Sequence, residues 1–314
     1  MCENRYLPEG MAYGSVENSE YISSVQGLER AMAQGKIIES SAVLCDSEMT
    51  LTVDLGKVKG IMKREEALYS PGGESAKDIA IISRVGKPIC FKVMAIEYGE
   101  GGRACAILSR RQAQIECLHN YLSCLECGDI IPARITHLEH FGAFVDIGCG
   151  MASLLSIDCI SVSRISHPKD RFYIGMPIKA VVKSIDREGG RIYVSHKELL
   201  GTWEENAARF NVGQTVVGIV RSVEQYGIFI ELAPNLAGLA EYRDGISVGQ
   251  SVAVYIKNII PERMKIKLVI IDSCKSDCAS SALEYYVSND RRHMDYWRYS
   301  PIGTSKIIES KFTG

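Results

Sequence analysis

The sequence predicts an all-β chain: three tandem five-stranded β-barrels joined by short helical linkers. Three observations carry this expectation: an internal repeat, apolar residues alternating with period two inside each copy, and glycine turns at regular spacing. The repeat is the strongest. Residues 128–148, GDIIPARITHLEHFGAFVDIG, align without a gap to residues 213–233, GQTVVGIVRSVEQYGIFIELA, at an offset of 85. Gly128 meets Gly213, Phe141 meets Tyr226, Gly142 meets Gly227 and Phe144 meets Phe229.

A second half-repeat follows each of these. IGMPIKAVVKSIDREGGRIYVS at 174–195 aligns with VGQSVAVYIKNIIPERMKIKLV at 248–269, at an offset of 74. The two offsets differ by 11 residues, so an insertion falls near 151–172, where His167-Pro168 marks a polar loop. Insertions belong in loops, so the mismatch supports the alignment. A third, weaker copy precedes both. GKIIESSAVLCDSEMTLTVDLG at 35–56 repeats the apolar pattern of the first half, and VGKPICFKVMAI at 85–96 matches IGMPIKAVVKSI.

The segments then follow in order. Residues 1–34 are a polar N-terminal extension, weakly helical near 24–34 and otherwise expected to be partly disordered. Residues 35–111 are a degenerate barrel. Residues 112–127 are a helical linker, with Ile115, Leu118, Leu122 and Leu125 at helical spacing. Residues 128–200 form the second barrel, in which Ala143, Val145 and Ile147 are inward and Phe144 and Asp146 outward. Residues 201–211 are a second helical linker, with Trp203, Ala207 and Phe210 on one face. Residues 212–272 form the third barrel, and residues 273–314 are a tail without clear period, also expected to be partly disordered.

Composition excludes several classes. The chain has 314 residues, 46% of them hydrophobic and 24% charged, the balance of a folded globular protein. No apolar run approaches the ~20 residues of a membrane span, and the N-terminus lacks the pattern of a secretory signal. Eleven cysteines at irregular spacing argue against a disulfide framework and for a reducing cytoplasm. Cys117, Cys124 and Cys127 with His119 lack a second CxxC pair, and Cys274 with Cys278 is weaker still, so no metal is expected. No P-loop, GxSxG or HExxH motif is present, so no catalytic residue and no cofactor are expected. Net charge is −2, with −3 in residues 1–34 and neutral to slightly basic barrels. A broad basic surface is therefore absent. Neutral modules still bind single strands by stacking, which contributes about 1–3 kcal/mol per base.

Outward aromatics are the candidate binding groups. Phe141 and Phe144 recur as Tyr226 and Phe229, which favours a stacking platform over a contact with a neighbouring module or the 151–172 loop. His140, beside Phe141, is a further candidate contact. Arg191 and Tyr193 leave the core face together, and Lys265 with Lys267 repeats them. A cation beside an aromatic suits a nucleotide, although an ordinary solvated strand face has the same appearance. Asp186 is expected to hold a turn or orient Arg191. The remaining histidines, His137, His167 and His196, are expected on the surface. Gly142 and Gly227 are expected to permit a bulge or a close backbone approach.

The run FGAFVDIG followed by VVKSIDREGGRIYVSHKEL resembles the S1-motif RNA-binding family, and KELLGTWEENAARF is similar to its linkers between modules. The resemblance is strong over 128–211, good over 212–272 and degenerate over 35–111. It implies OB-type barrels holding single-stranded RNA on one face, with contacts at Phe141, Phe144, Asp186 and Arg191, and at Tyr226, Phe229 and Lys265. A histidine common in the family falls on Ser156 and Glu241, a departure. Met49 and Thr52 stand where the first barrel would carry aromatics. The resemblance implies an mRNA-binding protein of the ribosomal S1 type that aids translation initiation, with the first module docking on the 30S subunit. The chain is expected to be monomeric, cytoplasmic and free of membrane. A non-ribosomal regulator of mRNA stability or transcription stays open, as does a protein-binding scaffold that has lost RNA affinity.

Overall fold

A computed structural model describes residues 5–71, 77–99, 102–273 and 283–312. Cys274 and Cys278 lie outside the described residues. Strands dominate, as the alternation requires, and three closed five-stranded barrels account for most of them. The first barrel comprises β1 (Ile38–Cys45), β2 (Leu51–Leu55), β3 (Val58–Met62), β4 (Pro88–Tyr98) and β5 (Ala104–Ser109). The middle barrel comprises β6 (Ile130–Glu139), β7 (Gly142–Asp146), β8 (Ala152–Ser156), β9 (Pro177–Asp186) and β10 (Arg191–Ser195). The third comprises β11 (Thr215–Glu224), β12 (Gly227–Ala233), β13 (Leu236–Ala240), β14 (Ser251–Ile260) and β15 (Lys265–Ser273). Each closes in the same order: first strand, second, third, fifth, fourth and back to the first. In each, the third and fifth strands pair in parallel. That shared order is the OB-type Greek key the repeat implied.

By contacts the chain forms two compact units. One is residues 1–125 with 132–134 and 146–152, and the other holds the remainder.

In the first unit the N-terminal segment is ordered where partial disorder was expected. Helices α1 (Val16–Ile22) and α2 (Val25–Ala33) are capped by the Ser15 and Ser24 side chains, which accept from the Asn18 and Gly27 N–H groups. Leu28 and Ala31, three residues apart on α2, bury completely in the first barrel's core beside Ile38, Leu51, Val53 and Phe91. Buried Asn18 extends β1: its amide donates to the Glu39 carbonyl at 2.8 Å and accepts the Glu39 N–H at 2.8 Å. A polar surface around one short apolar stripe hid this in the sequence. Helix α3 (Asp78–Ile82) precedes β4.

The first linker is partly helical: Leu122 and Leu125 of its apolar row bury beyond the helix, whose own buried face is a different one. Helix α4 (Arg110–Asn120) buries Arg110, Ala113, Gln114 and Cys117, while Ile115 and Leu118 are only half-buried. Polar groups occupy this face because they have partners. The fully buried Arg110 guanidinium donates to both Glu9 carboxylate oxygens, at 2.6 and 3.0 Å. Gln114 donates to the Cys149 carbonyl at 3.0 Å and accepts from the Tyr69 N–H at 2.8 Å. Asp146, expected outward, is buried for the same reason: it accepts the N–H groups of Glu9 (2.7 Å), Gly148 (2.8 Å) and Gly150 (3.0 Å). The N–H donors offset part of the cost of burying the carboxyl, which burial and the nearby Glu9 carboxylate still push up to about 7.

In the second unit, α5 (Trp203–Ala207) starts with a Thr202–Glu205 capping box and buries Trp203 and Ala207, with Phe210 half-buried. The C-terminal tail is another correction. Met294, Trp297, Tyr299 and Phe312 join the same apolar core as Val220, Ile230 and Leu268. Strands β16 (Tyr296–Arg298) and β17 (Glu309–Lys311) pair as a hairpin. Alternating charges and aromatics gave no readable period, yet the aromatics bury because they share a side of this folded tail. Buried His196, expected on the surface, touches the tail too. Its Nδ1 donates to the Ile160 carbonyl (3.1 Å), and the Tyr285 hydroxyl, which accepts the Lys179 N–H (2.9 Å), donates to its Nε2 (3.3 Å). Among the described residues no helix is long and apolar enough to cross a membrane.

Candidate nucleic-acid interface

The outward face of the second strand carries an aromatic pair in two barrels. In the middle barrel Phe141 ends the turn between β6 and β7 and is 56% exposed, while Phe144 on β7 is half-buried. Their rings meet edge to face, 6.0 Å between centroids at 89°. In the third barrel Tyr226 is 71% exposed and Phe229 half-buried, and their rings meet at 6.1 Å and 83°. Edge-to-face pairs at this separation are the favoured aromatic geometry, and in each pair the first ring is mostly exposed.

The flanking core positions explain why these rings point out. Ala143, Val145, Ile228 and Ile230 are fully buried, so their strand neighbours Phe144 and Phe229 take the opposite face. Glycine makes the start of that strand possible. A Cβ on Gly142 would collide with the Leu155 carbonyl oxygen, and one on Gly227 with the Ala240 carbonyl oxygen. The close approach lets the Phe141 carbonyl accept the Ile157 N–H at 2.9 Å.

Strand register extends the face sideways. Phe229 stands opposite Leu239, and Leu239 opposite Lys267, so one row runs from aromatic through leucine to cation. Neighbouring strands lie about 4.8 Å apart, which puts Phe229 and Lys267 about 10 Å apart along the backbone row. In the middle barrel Leu154 stands opposite Tyr193; these are the repeat partners of Leu239 and Lys267. Lys265 and Lys267 are exposed on either side of buried Ile266. Arg191 is exposed and Tyr193 half-buried, and Arg191 stands opposite Asp186 in the ladder. Asp186 holds the β9–β10 turn, accepting the Gly189 N–H at 2.8 Å.

His140 is exposed beside Phe141, and its ring lies 4.7 Å from that of His167, nearly perpendicular. His137 lies 6.4 Å from Phe144. The sequence suggested His137 and His167 only as surface residues; the available signal was the insertion that places His167 near this face. Among the described residues no group of His, Cys, Asp or Glu has the arrangement of a metal site.

Residues 125–197 match the family described as the S1 RNA binding domain. The middle barrel is thus the part of the chain that is similar to S1 domains. The chain resembles proteins named small ribosomal subunit protein bS1. That of Staphylococcus saprophyticus is 31% identical over 228 residues, covering 66% of this chain and 57% of the relative. That of Chlamydia muridarum is 31% identical over 153 residues, covering 45% of this chain and 27% of the relative. The chain thus spans about a quarter to somewhat over half of these relatives' length. Among solved structures, a multidomain protein with nucleic acid binding domains from Streptococcus pneumoniae is similar over 75% of this chain and 73% of its own, at 14% identity and a TM-score of 0.24. The matched residues contain the Phe141–Phe144 pair, and the third barrel repeats the middle barrel's strand order and its pair outside them.

Proposed function

We propose that the chain binds single-stranded RNA on the outer faces of the middle and third barrels, as a protein of the ribosomal S1 type. Phe141 with Phe144, and Tyr226 with Phe229, are the stacking platforms. Arg191, Lys265 and Lys267 supply charge to phosphate, Tyr193 and His140 border the platform, and Asp186 keeps Arg191's turn in place. The observation that carries this is the recurrence of one edge-to-face pair, its first ring exposed and its second half-buried, at equivalent positions of two barrels. A structural pair would have no reason to stay exposed twice. Stacking also suits a chain of net charge −2, since every base has a π-face whatever its sequence.

The bound RNA in this reading is mRNA, and the role is to aid initiation on the small ribosomal subunit, the assembly named by the bS1 relatives. The first barrel would contact protein. Its surface carries the exposed aliphatic residues Val43, Leu44, Ile79 and Ile82, and it has Met49 and Thr52 where the others have aromatics. Cosedimentation with small subunits tests that role; a chain that stays in the supernatant at low salt contradicts it.

The RNA reading is tested by titrating a fluorescent single strand of about a dozen nucleotides with wild type and with Phe141→Ala/Phe144→Ala at two salt concentrations. The expected result is about tenfold or greater weakening in the variant, from the loss of 1–3 kcal/mol of stacking per base. The salt slope should be about −0.7 per phosphate contact on a log–log plot. Equal affinity in the two proteins, with the fold intact by circular dichroism, overturns the platform.

A further inference from the structure

The middle barrel differs from the third barrel by an 11-residue insertion between β8 and β9. The inserted loop returns to the aromatic face. His167 sits in it, at the cap of a short turn running from Pro168 to Asp170. Its ring lies 4.7 Å from that of His140, which directly precedes Phe141. The His167 Nδ1 accepts the Lys169 N–H at 3.1 Å, so the proton of the neutral ring is on Nε2, a hydrogen-bond donor. Arg164 and Lys169 of the same loop are exposed. The third barrel has no counterpart, since residues 212–272 contain no histidine and lack the insertion.

We propose that His140 and His167, with Arg164 and Lys169 of the inserted loop, form a phosphate-binding subsite beside Phe141 that the third barrel lacks. The inference rests on the RNA-face reading above and adds a second wall to it. The chemistry is complementary: phosphodiester oxygens only accept hydrogen bonds, and the loop presents donors. His167 is held as an acceptor at Nδ1, and its turn is closed by Asp170, which accepts the Ser166 and His167 N–H groups. His137 is engaged elsewhere, facing Glu139, Nε2 to Oε1 at 2.8 Å.

The test is RNA titration of the full chain, with three proteins compared: wild type, His140→Gln/His167→Asn, and Phe141→Ala/Phe144→Ala. The asparagine keeps an acceptor at the turn's cap, so the loop stays folded. The histidine variant should bind about threefold more weakly than wild type, the loss of one contact of hydrogen-bond strength. If the histidine variant keeps wild-type affinity while the phenylalanine variant loses affinity, the subsite is wrong and the aromatic platform stands. If neither variant changes affinity, the RNA-face reading itself fails.

Discussion

At single residues, pH reports on the buried groups that hold the barrels together. Burial among apolar groups holds the His196 imidazole down to about 4, from an ordinary 6.5, and the nearby Arg171 adds to the shift. A histidine with a lowered folded pKa favours the fold while neutral, so that contribution is present above about pH 6.5 and declines as pH falls toward 4. The shift corresponds to at most about 3 kcal/mol. Glu39 behaves oppositely: burial raises its carboxyl from 4.5 to about 7, against hydrogen bonds from the Tyr13 and Gly10 N–H groups. Its contribution is full below about pH 4.5 and lost as pH rises through 7. Thermal unfolding followed by residue-resolved hydrogen exchange should therefore show protection around His196 weakening from pH 6.5 to 4, and His196→Gln should flatten that trend. A trend unchanged in the variant would remove His196 as its source.

At the scale of elements, what was legible was whatever the strand period or the repeat encodes. Ala143, Val145, Ile228 and Ile230 alternate with Phe144 and Phe229, so the core and the exposed rings were readable together. Asp146 broke the alternation because it is held by backbone donors from Glu9, Gly148 and Gly150, partners that no local pattern announces. Likewise α4 was readable as a helix, but its buried face depends on Glu9, 101 residues from Arg110 in sequence. Helices α1 and α2 were obscured by polar composition, although Ser15 and Ser24 are recognisable caps. Gly142 and Gly227 were readable as special positions, and the structure supplies the reason, a carbonyl where a Cβ would sit. Gly142→Ala should accordingly cost about 1–3 kcal/mol, as overpacking of a tight contact does, and lower the midpoint of thermal unfolding. Gly245→Ala is an instructive control. A Cβ there meets nothing within 4 Å, so any loss reflects its positive φ of 80° alone and should be the smaller of the two.

Across the second unit, the middle and third barrels are fastened by polar groups that have left water. Glu231 receives Arg171 and, at 2.9 and 3.1 Å, Arg221, which also pairs with Asp170 at 3.4 Å. Asn235, fully buried, accepts the Val162 N–H at 2.9 Å and donates to the Lys197 and Gly201 carbonyls at 2.8 and 3.0 Å. The Tyr299 hydroxyl of the tail donates to the Asn235 carbonyl at 2.5 Å. Tandem position was readable from the repeat; this fastening was not, because its members are single residues far apart in sequence. Asn235→Ala leaves several buried groups unpaired and should destabilise the unit by about 2–4 kcal/mol, measured by denaturant unfolding. The central claim is that RNA lies on the repeated aromatic faces. Photo-crosslinking of single-stranded RNA to the intact chain, with the attached residues located by mass spectrometry, tests it most directly. Crosslinks concentrated at Phe141, Phe144, Tyr226 and Phe229 are the predicted result; crosslinks confined to other surfaces, with these four unmodified at saturating RNA, would contradict it.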